Sequence, residues 1–129
     1  MPASLAISRI GQIALSASDL DRATAFYRDV LGMKFLFSAP PGMSFFECGG
    51  VRLLIGGPEA GGGAQAATTL FYFVPDIRDA ARVLTERGVT FDRDPIMIAK
   101  LADREVWLAD FKDSEGNSAA LMSEVPLAG

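Results

Sequence analysis

Histidine is absent from this chain, and cysteine occurs once, at Cys48. One thiol forms no internal disulfide. Without a histidine beside it, Cys48 lacks the usual base that activates a nucleophilic cysteine, so it reads as a buried, inert thiol. Lysine and arginine total 12 against 16 acidic residues, for a net charge of −4, and no run concentrates the positive ones. Nucleic-acid backbone binding is therefore not expected. An acidic cleft instead favours a cationic small molecule. No apolar run approaches the length of a membrane span, and the opening Met1-Pro-Ala-Ser-Leu-Ala-Ile-Ser-Arg9 is too short and too polar for a signal peptide, so a cytoplasmic location is expected. What is plentiful is apolar residues, 50% of 129, enough for one compact domain and a buried interface.

One pattern occurs twice, about 57 residues apart. An apolar strand runs into an aspartate, then a helix, then a glycine: Ile10 to Asp19, a helix to about Leu31, and Gly32; then Thr69 to Asp76, a helix to about Arg87, and Gly88. Such a repeat predicts two similar modules, each too small for a good core of its own. Ser18 and Asp19 offer N-cap oxygens, and Leu20, Ala23, Phe26, Tyr27, Val30 and Leu31 recur at helical spacing. In the second helix Ile77, Ala80, Ala81, Val83 and Leu84 do the same. Gly49-Gly50 between Ser44–Cys48 and Val51–Ile55 is a hairpin signal. Gly56 to Thr68 is glycine-rich and reads as a linker; it lacks the Lys-Ser/Thr pair of a phosphate loop. Further strands are expected over residues 8–17, 69–74, 89–91, 96–101, 105–111 and 119–124, with a tight turn at Asp113-Ser-Glu-Gly116-Asn117. The fold class is α+β: two β-α-β-β-β modules forming a curved mixed sheet around a cavity, with helices outside. Module one spans 7–57, the linker 58–68 and module two 69–124. On the first strand Ile13 and Leu15 should pack on the helix, and Ile10, Gln12 and Ala14 should face the cavity.

The segments Gln12 to Gly32, Phe46 to Leu54, Phe73 to Ala81 and Asp113 to Asn117 resemble the vicinal oxygen chelate superfamily, which includes glyoxalase I, extradiol dioxygenases, fosfomycin resistance enzymes and bleomycin resistance proteins. In its metal-dependent members, four cavity-facing positions hold the ion. By the resemblance these fall on Gln12, Leu54, Leu70 and Ala120. Two leucines and an alanine supply no donor, and a tight site needs three or more. No cofactor is expected, and the metal-based reactions of the family are not expected either. Glu47, Glu105 and Asp110 are the nearest substitute carboxylates.

Candidate ligand-binding residues are Gln12, Phe46, Arg52, Leu54, Leu70, Tyr72, Trp107 and Ala120. Gln12 is an amide on an otherwise apolar strand and must find a partner. Arg52 shares the face of Leu54 and suits a carboxylate or phenolate. Tyr72 shares the face of Leu70; its ring, with those of Trp107 and Phe46, suits a flat organic ligand. Glu105 shares a face with Trp107 and is the candidate acid or base. The resemblance implies a metal-independent binder of a planar or cationic small molecule, like the bleomycin resistance proteins, acting as a homodimer. The alternative is a lyase, isomerase or dioxygenase using a shifted carboxylate metal site or metal-free acid–base chemistry through Glu105, Tyr72 and Arg52.

Overall fold

The structure is a computed structural model that describes residues 6, 9–61 and 68–127. Alternation on the opening strand decides its two faces. In β1 (Gln12–Ser16) Leu15 is buried while Gln12 and Ala14 are exposed. Asp19 then caps α1 (Leu20–Ala25), its side chain accepting from the Arg22 amide. The helix does not end at Ala25. It continues over Phe26–Val30 as a π-turn, in which the Leu31 amide donates to the Phe26 carbonyl. The widened turn carries Tyr27, which is 1% exposed.

Three antiparallel strands complete module one: β2 (Lys34–Ala39), β3 (Met43–Cys48) and β4 (Val51–Gly56). Gly49 and Gly50, at φ +59° and +89°, turn the β3–β4 hairpin, a conformation side-chain-bearing residues avoid. β1 lies parallel to β4 at the edge, giving the order β1-β4-β3-β2. Module two repeats the plan with β5 (Leu70–Phe73), α2 (Ile77–Glu86), β6 (Ile96–Lys100), β7 (Arg104–Lys112) and β8 (Ser118–Pro126), in the order β5-β8-β7-β6. The identical order bears out the two-module α+β reading. The curved sheet takes the form of two separate four-stranded mixed sheets.

Some boundaries differ. The first strand begins at Gln12, so residues 9–11 lie outside it. Residues 89–91 supply only a single bridge, Phe91 to Phe111, because no neighbouring residue there joins the ladder. In the linker, Pro58–Ala60 form one 3-10 turn, and residues 62–67 lie outside the described residues, as do 7 and 8.

Each sheet packs one face on its helix. Leu15, Ala23, Tyr27, Phe46, Leu53 and Ile55 form the first core. Ile77, Leu84, Ala109, Phe111 and Leu121 anchor the second. Phe26, Leu31 and Tyr72 pack against both. The modules are thus joined on their helix side.

A polar latch fastens that junction. The buried Asp113 carboxylate accepts from the Tyr27 hydroxyl (2.6 Å), the Asn117 side-chain amide (2.9 Å), and the backbone amides of Glu115 and Asn117 (2.8 Å each). The Asn117 amide also donates to the Ser16 carbonyl (2.9 Å). Glu115, two residues on, accepts from the Ser18 hydroxyl (3.0 Å) and the Asp19 amide (2.9 Å), and pairs with Arg22 at 2.7 Å. Gly116, at φ +82°, lets the loop turn tightly enough to present all three side chains.

The Arg22 guanidinium, with the hydrogen bonds from Asp19, Ser114 and Ser18, holds the Glu115 carboxyl down at about 2, against an ordinary 4.5. A folded-state pKa below the unfolded one favours the fold above the unfolded value, and that contribution fades as pH falls toward the folded one. Stability of the native chain should therefore decline between about pH 4.5 and about pH 2. Glu115→Gln should flatten this limb of a urea-midpoint-against-pH curve. An unchanged slope would show that Glu115 does not carry it.

Candidate functional site

The face of each sheet turned away from its helix is open to solvent. Strand register fixes which residues occupy it, since Cα partners share a face. In module one Gln12 pairs with Arg52, Ala14 with Leu54, and Leu54 with Phe45. Phe37 pairs with Phe45 and stacks on it, centroids 4.5 Å apart and planes 23° apart. Gln12 and Arg52 are exposed and Leu54 is half-buried. Glu47 is on the same face, opposite Arg52, and its carboxylate accepts from the Gly50 amide at 2.6 Å.

In module two the central residue is Ala120, fully buried between Phe71 on β5 and Asp110 on β7. Phe71 and Phe73 are 50% and 61% exposed, which is unusual for large aromatic side chains within strands. Asp110 is exposed on the same face, one strand beyond Ala120.

Gln12, Arg52, Leu54 and Ala120 thus lie on open faces, in two groups, one per sheet. The other sequence candidates are turned the opposite way. Leu70 and Tyr72 pair with Ala119 and Leu121, whose side chains belong to the second core, so their expected orientation is corrected by one residue: Phe71 and Phe73 hold the open positions. Phe46 is 0% exposed, enclosed by Tyr27, Phe35 and Leu53, and is a core residue. Trp107 and Glu105 share the helix side with Ala109 and Phe111. The indole donates to the Glu105 carboxylate (3.1 Å), and the Arg78 guanidinium sits 5.2 Å above the ring. The inward carboxylate of β7 is consequently not Glu105, and Asp110 takes the open face instead. Phe71 and Phe73 escaped the sequence reading because every residue from Leu70 to Phe73 is apolar or aromatic.

Burial raises three acid–base groups: two tyrosine hydroxyls and a thiol. The Tyr27 hydroxyl is pushed far above its ordinary value by burial, with Tyr72 and Asp113 adding to it. Burial likewise raises the Tyr72 hydroxyl. The Cys48 thiol is raised by burial and then by nearby Glu47. None of these is poised to exchange a proton near neutrality.

The four positions that hold the ion in metal-dependent relatives offer one amide here, on Gln12, and whichever of Leu70 or Phe71 is set in the third place the donor count is unchanged. Among the described residues no three His, Cys, Asp or Glu side chains come together as an ion would require. The remaining residues contain none of those types. The donor set does not fit a transition metal. No helix among the described residues is long and apolar enough to cross a membrane.

Comparison with known proteins agrees with this architecture. A structure from Sphaerobacter thermophilus, described as a member of the glyoxalase/bleomycin resistance protein/dioxygenase superfamily, is 27% identical, with 93% of this chain and 100% of that chain covered and a TM-score of 0.75. Two others share the fold at 23% identity. A lactoylglutathione lyase from Agrobacterium tumefaciens covers 92% of this chain and 95% of its own, with a TM-score of 0.73. An integron cassette protein from V. cholerae covers 94% and 98%, with a TM-score of 0.74. No curated protein matches the sequence. The family model for Glyoxalase/Bleomycin resistance protein/Dioxygenase matches residues 9–121, most of its length, and the chain belongs to that superfamily.

Proposed function

We propose that the protein is a metal-independent binder of a planar, cationic small molecule, held on the open faces of the two sheets. The observation that carries this reading is the company kept on those faces: exposed Phe71 and Phe73 on the same face as Asp110 across β8, and Gln12 and Arg52 beside Leu54, with no donor cluster for a metal among the described residues. Aromatic rings supply stacking area, the carboxylate a counter-charge, and the amide and guanidinium direction. A net charge of −4 draws cations toward the surface. Two copies meeting open face to open face would enclose the ligand and cover the exposed phenylalanines, so the working unit is a homodimer, acting in the cytoplasm. Metal-free catalysis through Glu105 and Tyr72 draws no support from their positions, since one is bonded to Trp107 and the other is packed into both cores.

Titration of the intact protein with planar cations such as ethidium and 9-aminoacridine tests this reading. Saturable binding is expected, and Asp110→Lys should weaken it about tenfold or more, the worth of a charge-assisted contact. Absence of saturation with every compound, or full affinity in Asp110→Lys, would sink the proposal.

A further inference from the structure

A cavity of about 420 Å³ lies on the helix side of the junction, away from Gln12, Arg52 and Asp110. Module one contributes Leu31, Met33 and Cys48; α2 contributes Val83, Leu84 and Arg87; the edge strand β5 closes it. The size falls within the range that holds small organic ligands. The walls are mainly apolar, and none of the lining residues is acidic.

Arg87 is the one charged group in this lining. It donates one hydrogen bond, to the Val30 carbonyl at 2.8 Å, and makes no ion pair among the described residues. That single bond ties the last turn of α2 to module one and leaves four of the five guanidinium donors available. Arg22, Arg28, Arg82 and Arg104 carry carboxylate partners, while Arg87, like Arg9, Arg52, Arg78 and Arg93, makes no ion pair among the described residues; what sets Arg87 apart is its place in the lining of an apolar chamber. An unpaired guanidinium at the lip of an apolar chamber is complementary to one chemistry: an apolar body ending in a carboxylate, which the planar fork binds through two oxygens.

We propose that this chamber is a second binding site, for a small carboxylate with an aromatic or short aliphatic tail. The tail fills the space between Met33, Val83 and Leu84, and the carboxylate pairs with Arg87. Because the ligand touches both modules, it bridges them at the place where their cores meet. Phe71 and Phe73, on which the proposed cation site rests, also line this chamber, so the two sites adjoin along β5.

Calorimetric titration of the full chain with 4-phenylbutyrate, and with 4-phenylbutanol as the uncharged match, reads out the proposal. The acid should bind saturably, one per chain, and about tenfold more tightly than the alcohol. Arg87→Gln, an exposed change that leaves the core intact, should bring the acid down to the affinity of the alcohol. Cys48, the only thiol, provides a second readout: 4-phenylbutyrate should slow its reaction with a thiol reagent in the wild-type chain and fail to do so in Val83→Trp, which fills the chamber. If Val83→Trp does not fold, Arg87→Gln decides alone. Equal affinity of acid and alcohol in the wild-type chain, or undiminished acid binding in Arg87→Gln, overturns the assignment, as does the absence of both saturable heat and Cys48 protection.

Discussion

Asp113→Ala should lower the unfolding free energy by about 3–5 kcal/mol, measured by urea denaturation at neutral pH. The size follows from what is stranded. The carboxylate is 6% exposed and accepts four hydrogen bonds, one from the hydroxyl of Tyr27, itself 1% exposed. Its removal leaves that hydroxyl and the Asn117 amide with fewer partners in a place water does not reach, and each abandoned donor costs about 1–3 kcal/mol. Tyr27→Phe keeps the ring and removes one donor cleanly, so its loss should be near 1 kcal/mol. The two changes meet at one bond, and the double variant should lose less than the sum of the single ones. A loss below about 1 kcal/mol in Asp113→Ala would mean that the junction does not depend on this carboxylate.

Stripped protein offered zinc, nickel, manganese or iron(II) should return with far less than one ion per chain. A structural zinc site contributes about 10 kcal/mol or more of apparent binding free energy, drawn from three or four close donors. Gln12 supplies a single weak one, and Leu54 and Ala120 supply none. The carboxylates nearest to substituting for them are engaged or apart: Glu47 accepts from the Gly50 amide, Glu105 from the Trp107 indole, and Asp110 stands on the open face of the other sheet. The contrast is therefore between almost no retention and a stoichiometric site. One tightly held ion per chain would reverse the donor assignment and reopen the isomerase and dioxygenase chemistries.

The parts of the chain that sequence describes well are those where apolar and polar residues alternate. Gln12-Ile-Ala-Leu has that contrast, and its two faces fall as expected, Leu15 inward and Gln12 outward. Helix starts at Asp19 and Asp76 were equally legible, because capping is local chemistry. β5 has no such contrast. Leu70-Phe-Tyr-Phe73 offers an apolar residue to both sides, and a slip of one residue exchanges them. The same slip misplaced Trp107 and Glu105, whose orientation is set by the pairing of Trp107 with Ser123 rather than by anything adjacent in sequence. Phe46 follows Phe45 directly, and two adjacent aromatic residues give no sign of which side is the core. Least legible was Glu115. As a turn residue it has a sufficient local explanation, and its pairing with Arg22 spans 93 positions, a distance across which composition and periodicity carry no signal.

The latch has an evolutionary corollary. Two of its bonds end on main-chain atoms of the other module: Asn117 on the Ser16 carbonyl, and Glu115 on the Asp19 amide. Carbonyls and amides survive almost any replacement of the side chain above them. Position 16 can therefore drift without losing its bond to Asn117, whereas the joint as a whole still draws on the side chains of Ser18, Arg22 and Tyr27 as well as on the loop from Asp113 to Asn117. The open faces, which contribute nothing to that joint, are released to change. Lineages built on such a scaffold can discard one ligand chemistry and acquire another without renegotiating how their two halves fit together.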